Sequence, residues 1–306
     1  MTSDANAELV DKISVLRKQR NAVILAHNYQ RAEVQDIADF VGDSLELSQQ
    51  AAKTNAAVIV FCGVHFMAET ASILCPDKTV LLPDIHAGCP MANMLTSEKL
   101  IEKKKENPDA AVVCYINSSA SAKAESDVCC TSANALQVAQ KVEAKKILFV
   151  PDQYLGHFIS TQVPDKEFIF WPGYCPTHAK IRPEDILQRK KEHPKAKAVV
   201  HPECRPDVIA VADAALSTGG MMRFCRETDA KEVIIGTEIG IIHRLKKENP
   251  EKQFIPVSEK VVCPNMKLIT LEKIMWALED MSPEVRVPED IRIRAKAAVD
   301  KMLLWV

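Results

Sequence analysis

Cys89, Cys175 and Cys263 each stand directly before a proline, and each Cys-Pro follows a short apolar run: Val80-Leu81-Leu82, Phe168-Ile169-Phe170 and Val261-Val262. They are spaced 86 and 88 residues apart. A step that regular is what three copies of one supersecondary unit produce when each copy delivers one thiolate to a common centre. Three thiolates without a fourth protein ligand leave one coordination position open, which fits catalysis at an iron-sulfur cluster or zinc, the centres that thiolates select. A lone cysteine carries no such meaning, because a free thiol packs as a small hydrophobe. The inference rests on the set of three.

Further groups with chemistry recur beside them. The apolar runs 22–26, 110–114 and 197–200 pass into polar residues: His27 and Tyr29 in the first copy, Tyr115 and Asn117 in the second, His201 and Glu203 in the third. Ligands of open parallel sheets bind at the carboxyl ends of the strands. A histidine and a carboxylate two residues apart suit general acid-base work. Ser44, Ser132 and Thr218 open helices at matching places. A hydroxyl there caps the first turn, and three helix amino ends facing one cavity bind a compact polyanion such as a dicarboxylate or a phosphate. His65, His86, His157, His178, His193 and His243 share no position between copies and read as structural.

Elements able to hold these groups recur in one order. An amphipathic helix over 8–20, with Leu9, Val10, Ile13 and Leu16 on one face, precedes the first strand. A short helix over 35–40, a helix over 45–54, a strand over 57–61 and a helix over 66–74 follow, before the run that leads to Cys89. The second copy gives a strand over 110–114, a helix from Thr131 to about residue 143, a strand over 147–150, a loop over 151–153 and the strand before Cys175. The third gives a strand over 197–200, a short helix over 207–215, a helix opened by Ser217-Thr218-Gly219, and strands over 233–238 and 254–257. Hydroxyl-to-cysteine spacings are 45, 43 and 45, and strand-end-to-hydroxyl spacings are 17, 15 and 17. A period this long suits a small βαβαβ unit and is too long for a solenoid.

The expected architecture is therefore α/β: three pseudo-threefold-related three-layer αβα domains with short parallel sheets, their strand ends facing a central active site. Charged, proline-ended runs at 102–108 and 188–194, read as solvated helix ends, mark boundaries. They divide the chain into a first repeat with its amino-terminal helix (1–106), a second (107–194) and a third with carboxyl-terminal helices (195–306). Those last helices are expected over 271–279, capped by Thr270, and over 290–303.

Composition narrows the function classes. In 306 residues, 39 basic against 41 acidic side chains give a formal charge of −2, which provides no electrostatic footprint for nucleic acid or an anionic membrane. Residues 1–10 lack a signal-peptide pattern and no long apolar run occurs, so the expected compartment is a reducing cytoplasm, where ten cysteines read as thiols, metal ligands or catalytic groups. Cys114, Cys129 and Cys130 read as buried thiols, and Cys204 lies in sequence beside Glu203. From the residues alone, a hydro-lyase dependent on a cluster and a non-catalytic iron-sulfur sensor both remain open.

The strings Ala26-His27-Asn28-Tyr29-Gln30, Gly42-Asp43-Ser44-Leu45, Cys62-Gly63-Val64-His65-Phe66-Met67-Ala68-Glu69-Thr70, Lys123-Ala124-Glu125-Ser126-Asp127, Thr131-Ser132-Ala133-Asn134, His201-Pro202-Glu203-Cys204 and Cys263-Pro264-Asn265-Met266-Lys267 resemble the quinolinate synthase family over about residues 20–280. The resemblance implies a [4Fe-4S] cluster on Cys89, Cys175 and Cys263. It implies condensation of iminoaspartate with dihydroxyacetone phosphate to quinolinate, with loss of phosphate and two waters, on the route to NAD. It further implies functional coupling to an iminoaspartate-producing aspartate oxidase or dehydrogenase. Ser44, Ser132, Thr218, His27 and Asn117 would hold carboxylates and phosphate, His201 and Glu203 would move protons, and Tyr29 and Tyr115 would stand near the reacting carbons. The chain lacks the CxxCxxC found near the carboxyl end of some members, carrying Cys263 alone there.

Overall fold

Strand runs that are apolar on both faces demand cover from two sides, and that favours parallel sheets sandwiched by helices. The computed structural model describes residues 3–305, with side chains from residue 6 onward, and the chain passes three times through one order of elements. The first pass leads from α1 (Ser3–Gln19) into β1 (Ala22–His27), α2 (Ala32–Ile37), β2 (Phe40–Gly42), α3 (Ser44–Lys53), β3 (Val58–Cys62), α4 (His65–Leu74) and β4 (Thr79–Leu81). The second leads from α5 (Ser97–Glu106) into β5 (Ala110–Tyr115), α6 (Ala120–Ala124), β6 (Val128–Cys130), α7 (Ala135–Lys141), β7 (Lys146–Val150), α8 (Gln153–Ser160) and β8 (Glu167–Phe170). The third leads from α9 (Pro183–Glu192) into β9 (Lys197–Val200), α10 (Pro206–Val211), β10 (Ala214–Ala215), α11 (Thr218–Glu227), β11 (Glu232–Gly236), α12 (Ile241–Glu248) and β12 (Gln253–Pro256). Helices α13 (Leu271–Asp280) and α14 (Glu289–Leu304) close the chain.

The three sheets share one strand order: β2-β1-β3-β4, β6-β5-β7-β8 and β10-β9-β11-β12. Every pairing between these strands is parallel. The central strands are the apolar runs of the sequence, and all five residues of β3 are buried. The fold class is thus an α/β protein of three short all-parallel sheets flanked by helices.

The edge strands differ from expectation. The short helices expected over 35–40 and 207–215 end at Ile37 and Val211, and the residues after them become β2 and β10. With three residues in β2 and β6 and two in β10, an edge strand is too short to show a period. A side chain pins each one. Asp39, Asp127 and Asp213 stand one residue before β2, β6 and β10, one edge strand of each sheet. Their Oδ2 atoms accept the N–H of Ile24, Val112 and Ala198 at 2.8, 2.7 and 2.7 Å. Their own N–H groups donate to the carbonyls of those residues at 2.9, 3.1 and 2.8 Å. A second device also recurs: the Nζ atoms of Lys78, Lys166 and Lys252 donate to the carbonyls of Thr54, Val142 and Thr228, the residues that end α3, α7 and α11. A cation suits that negative end of the helix dipole.

The charged runs at 102–108 and 188–194 fall on the last turns of α5 and α9. Helices α6 and α8 are short and fall in spans the sequence reading leaves unassigned, α8 beginning at the last residue of the loop expected over 151–153. Thr270 caps α13 as expected, accepting the N–H of Lys273 at 3.4 Å. The tail ties the third pass to the others. Helix α13 packs on α1, and α14 packs on α6, β6 and α4. Asn134 Nδ2 donates to the Met302 carbonyl at 3.1 Å and Lys301 Nζ to that of Asp127 at 3.0 Å. One apolar core runs through all three passes, with a smaller cluster around Ile186, Val208, Ile234 and Ile255 in the third.

Candidate active site

Proline fixes the backbone after each of the three cysteines, and each Cys-Pro enters a 3₁₀ turn: Ala92–Met94, His178–Lys180 and Asn265–Lys267. The backbone N–H of the residue three places on, which is Ala92, His178 or Met266, stands close enough to each sulfur to favour its thiolate. The three thiols are half-buried, and of the ten cysteines only these line a pocket to which all three passes contribute residues. Burial pushes the free Cys89 thiol up to about 12 and raises the other two as well.

All twelve residues singled out from the sequence line this pocket: Cys89, Cys175, Cys263, His27, Tyr29, Ser44, Tyr115, Asn117, Ser132, His201, Glu203 and Thr218. The strand ends deliver the polar ones. His27 and Tyr115 are the last residues of β1 and β5, and His201 follows β9.

The hydroxyls reach the pocket because other residues do the capping. Asp43 caps α3, its Oδ1 accepting the N–H of Leu45 and Glu46 at 2.9 Å each. Ser217 caps α11, accepting the N–H of Gly220 at 3.1 Å. Ser44 and Thr218 are therefore the first residues inside their helices, with hydroxyls free of the capping role that sequence alone suggests. Ser132 sits in the turn before α7, which starts at Ala135 and not at Thr131. Helices α3 and α11 meet at their amino ends: the Gly219 backbone lies against the Asp43 carboxylate, and a Cβ at 219 would stand 2.7 Å from Asp43 Oδ2. Burial, followed by the nearby Glu46, lifts the Asp43 carboxyl to about 6.

A chain of hydrogen bonds crosses the pocket. The Tyr115 hydroxyl donates to Glu203 Oε1 at 2.6 Å, and Asn117 Nδ2 to the same oxygen at 3.4 Å. His178 Nδ1 lies 2.7 Å from Glu203 Oε2, and His178 Nε2 lies 2.7 Å from Thr237 Oγ1. Thr237 Oγ1 is in turn 2.5 Å from the Tyr29 hydroxyl. Two phenols from different passes are thus joined through Glu203, His178 and Thr237. The His201 ring stacks on His178 with centroids 4.8 Å apart, its Nδ1 3.8 Å from Glu203 Oε2.

Protonation follows from this packing. Burial drives His27 and His201 down to about 3, so both are neutral imidazoles near neutral pH. For Glu203, burial pushes upward, but the neighbouring His201 and His178 and the hydrogen bonds from His178 and Tyr115 outweigh it, which holds the carboxyl below its usual range. Burial, and next the charge of Glu203, raises both Tyr29 and Tyr115, which remain protonated. The centre of the pocket accordingly holds one carboxylate base between two phenolic acids. Asn117 Oδ1 is buried with no protein partner among the described residues, so it is open to a ligand.

Sequence reasoning missed several lining residues, His178 foremost, along with Asp43, Thr131, Lys180 and Glu238. His178 stands three residues after Cys175, where the other copies have Ala92 and Met266, so comparison between copies discards it. Its distance from Cys175 was the available signal. Cys175, His178 and Glu203 offer one ligand atom each within 4.8 Å of one another, a group able to hold a metal ion.

Residues 11–304 match the family model described as quinolinate synthetase A protein. The chain belongs to the quinolinate synthase family. It is 59% identical over 292 residues to the quinolinate synthase of Dehalococcoides mccartyi (strain CBDB1), covering 95% of this chain and 96% of that protein. To the quinolinate synthase of Thermodesulfovibrio yellowstonii it is 58% identical over 297 residues, covering 97% and 98%. To that of Methanosarcina barkeri the identity is 56% over 297 residues, covering 97% of each. Among the described residues, no helix of this quinolinate synthase family member is long and apolar enough to cross a membrane.

Proposed function

We propose that the chain condenses iminoaspartate with dihydroxyacetone phosphate to quinolinate, releasing phosphate and two waters, with a [4Fe-4S] cluster held by Cys89, Cys175 and Cys263. The observation that carries this reading is the presence of three half-buried thiols, one from each pass, in the same pocket as Glu203, Tyr29 and Tyr115. The donor set fits a cluster on two further counts. A backbone N–H stands near each sulfur, the kind of donor that stabilises thiolate-bound iron-sulfur centres, and no fourth thiol enters the pocket among the described residues. When bound, such a cluster supplies a Lewis-acidic iron for a hydroxyl or keto oxygen.

The remaining work falls to the chain's own residues. Ser44, Ser132, Thr218 and His27, with the Asn117 amide N–H, offer neutral donors to the carboxylates and phosphate, as a pocket in a chain of near-zero net charge must, and the unpartnered Asn117 Oδ1 accepts from a substrate hydroxyl or imine N–H. Glu203 removes the proton that enolisation and imine formation release, and His178 and Tyr115 hold its two oxygens. Neutral His201, stacked on His178, shields that carboxylate from water and assists the transfer. Tyr29 and Tyr115 donate protons to departing oxygen. The reading also takes up the cytoplasmic setting and the coupling to an aspartate oxidase or dehydrogenase, since iminoaspartate must be supplied as it is consumed. Anaerobically reconstituted protein is expected to form quinolinate from the two substrates. Glu203→Gln should lower kcat by about a hundredfold, and full activity in that variant overturns the role of Glu203.

A further inference from the structure

Thr218 keeps its proton for the pocket, and residues outside the pocket decide that it does. Arg244, on α12 of the third pass, donates through Nη1 to Asn28 Oδ1 at 2.9 Å and to the Val41 carbonyl at 2.6 Å. Its Nε pairs with Glu248 at 2.6 Å, which holds the guanidinium in place. A guanidinium has no acceptor, so the Asn28 atom facing it is the oxygen and the amide nitrogen must point the other way. That nitrogen donates to Thr218 Oγ1 at 3.0 Å. Asn28 is fully buried and cannot turn to water: its N–H donates to the Gly42 carbonyl at 3.1 Å, and its own carbonyl accepts from Gln35 Nε2 at 3.2 Å. One lone pair of the Thr218 oxygen is therefore engaged, and the hydroxyl proton cannot turn toward Asn28. Its proton has no protein acceptor among the described residues, and the residue lines the pocket.

We infer that Arg244 and Asn28 are positioning residues that fix the Thr218 hydroxyl as a donor into the pocket, so that this corner takes an acceptor-only oxygen of a carboxylate or phosphate and disfavours a hydroxyl or amide donor. The inference rests on the proposed anion-binding role of Thr218 and adds the device that sets its polarity. The network spans the first and third passes, so the direction of one pocket proton depends on how β1 and α12 sit against each other.

Asn28→Asp reverses the device: a carboxylate at 28 keeps the pairing to Arg244 but accepts the Thr218 proton, and the hydroxyl then shows the pocket only a lone pair. Calorimetric binding of quinolinate to the anaerobically reconstituted protein, with cluster absorbance and melting temperature recorded for each variant, tests this. Asn28→Asp and Thr218→Val are each expected to weaken binding about tenfold, and the double variant to weaken it no further than either alone. If the Asp variant does not fold, Arg244→Met, which lets the amide flip, is expected to weaken binding when Thr218 is present and to have no effect when it is Val. Thr218→Val binding like the parent removes the anion role and the inference with it. Thr218→Val weakened while the Asn28 and Arg244 variants bind like the parent, or act equally in the Val background, overturns the positioning alone.

Discussion

His178 Nδ1 lies 2.7 Å from Glu203 Oε2, closer than the 3.8 Å that separates His201 Nδ1 from the same oxygen. The histidine that orients the central carboxylate is thus the one in the cysteine turn and not the one two residues along the chain. Replacing His178 by Ala removes a donor from Glu203 and the link to Thr237 and Tyr29. A fall in kcat of about a hundredfold with a small change in KM is expected from steady-state kinetics.

His27 and His201 are held neutral at about 3, against an ordinary value of 6.5. Their folded values lie below their unfolded ones, so the unfolded chain binds more protons between these limits. Stability is present above about pH 6.5 and is lost as pH falls toward 3. Thermal melts of the cluster-free protein should show the melting temperature dropping steeply from pH 6.5 to 4, and His201→Gln should make the drop shallower.

Lys123 is fully buried, its Nζ 2.9 Å from Thr70 Oγ1 and 3.3 Å from the Phe66 carbonyl, joining α6 to α4 behind the pocket-lining Phe66. Truncation to Ala opens a cavity and is expected to cost about 3 kcal/mol in urea unfolding. Met fills the same space without a charge to desolvate, so Lys123→Met should cost far less. An equal loss in both variants would mean that the two hydrogen bonds, and not the packing, hold the helices together.

The aspartates before the edge strands predict a local effect. Asp127→Ala removes the 2.7 Å bond to Val112 and should lower stability by about 1 kcal/mol. Hydrogen exchange should show lost protection concentrated in β5 and β6.

The central strands, the long helices and the twelve pocket residues named from the sequence were legible because each left a signal that repeats: an apolar run, a polar strand end, a hydroxyl or a cysteine at matched spacing. The family resemblance named the same residues by a separate route. Three things were hidden. The edge strands β2, β6 and β10 are two or three residues long and show no period, although the aspartates beside them recur at 39, 127 and 213. Ser44 and Thr218 looked like caps because a hydroxyl at a helix start usually is one, and only the bonds of Asp43 and Ser217 show otherwise. His178 breaks the threefold pattern, so the comparison between copies that found the cysteines passed over the residue that touches one of them, Cys175, at 3.2 Å.

The most direct test of the account is iron and sulfide content after anaerobic reconstitution of the parent and of Cys89→Ala, Cys175→Ala and Cys263→Ala. The parent should hold about four irons and four sulfides per chain, and each single variant should lose the cluster. A full cluster in any one of the three variants would contradict the claim that each pass of the fold supplies one ligand to a shared centre.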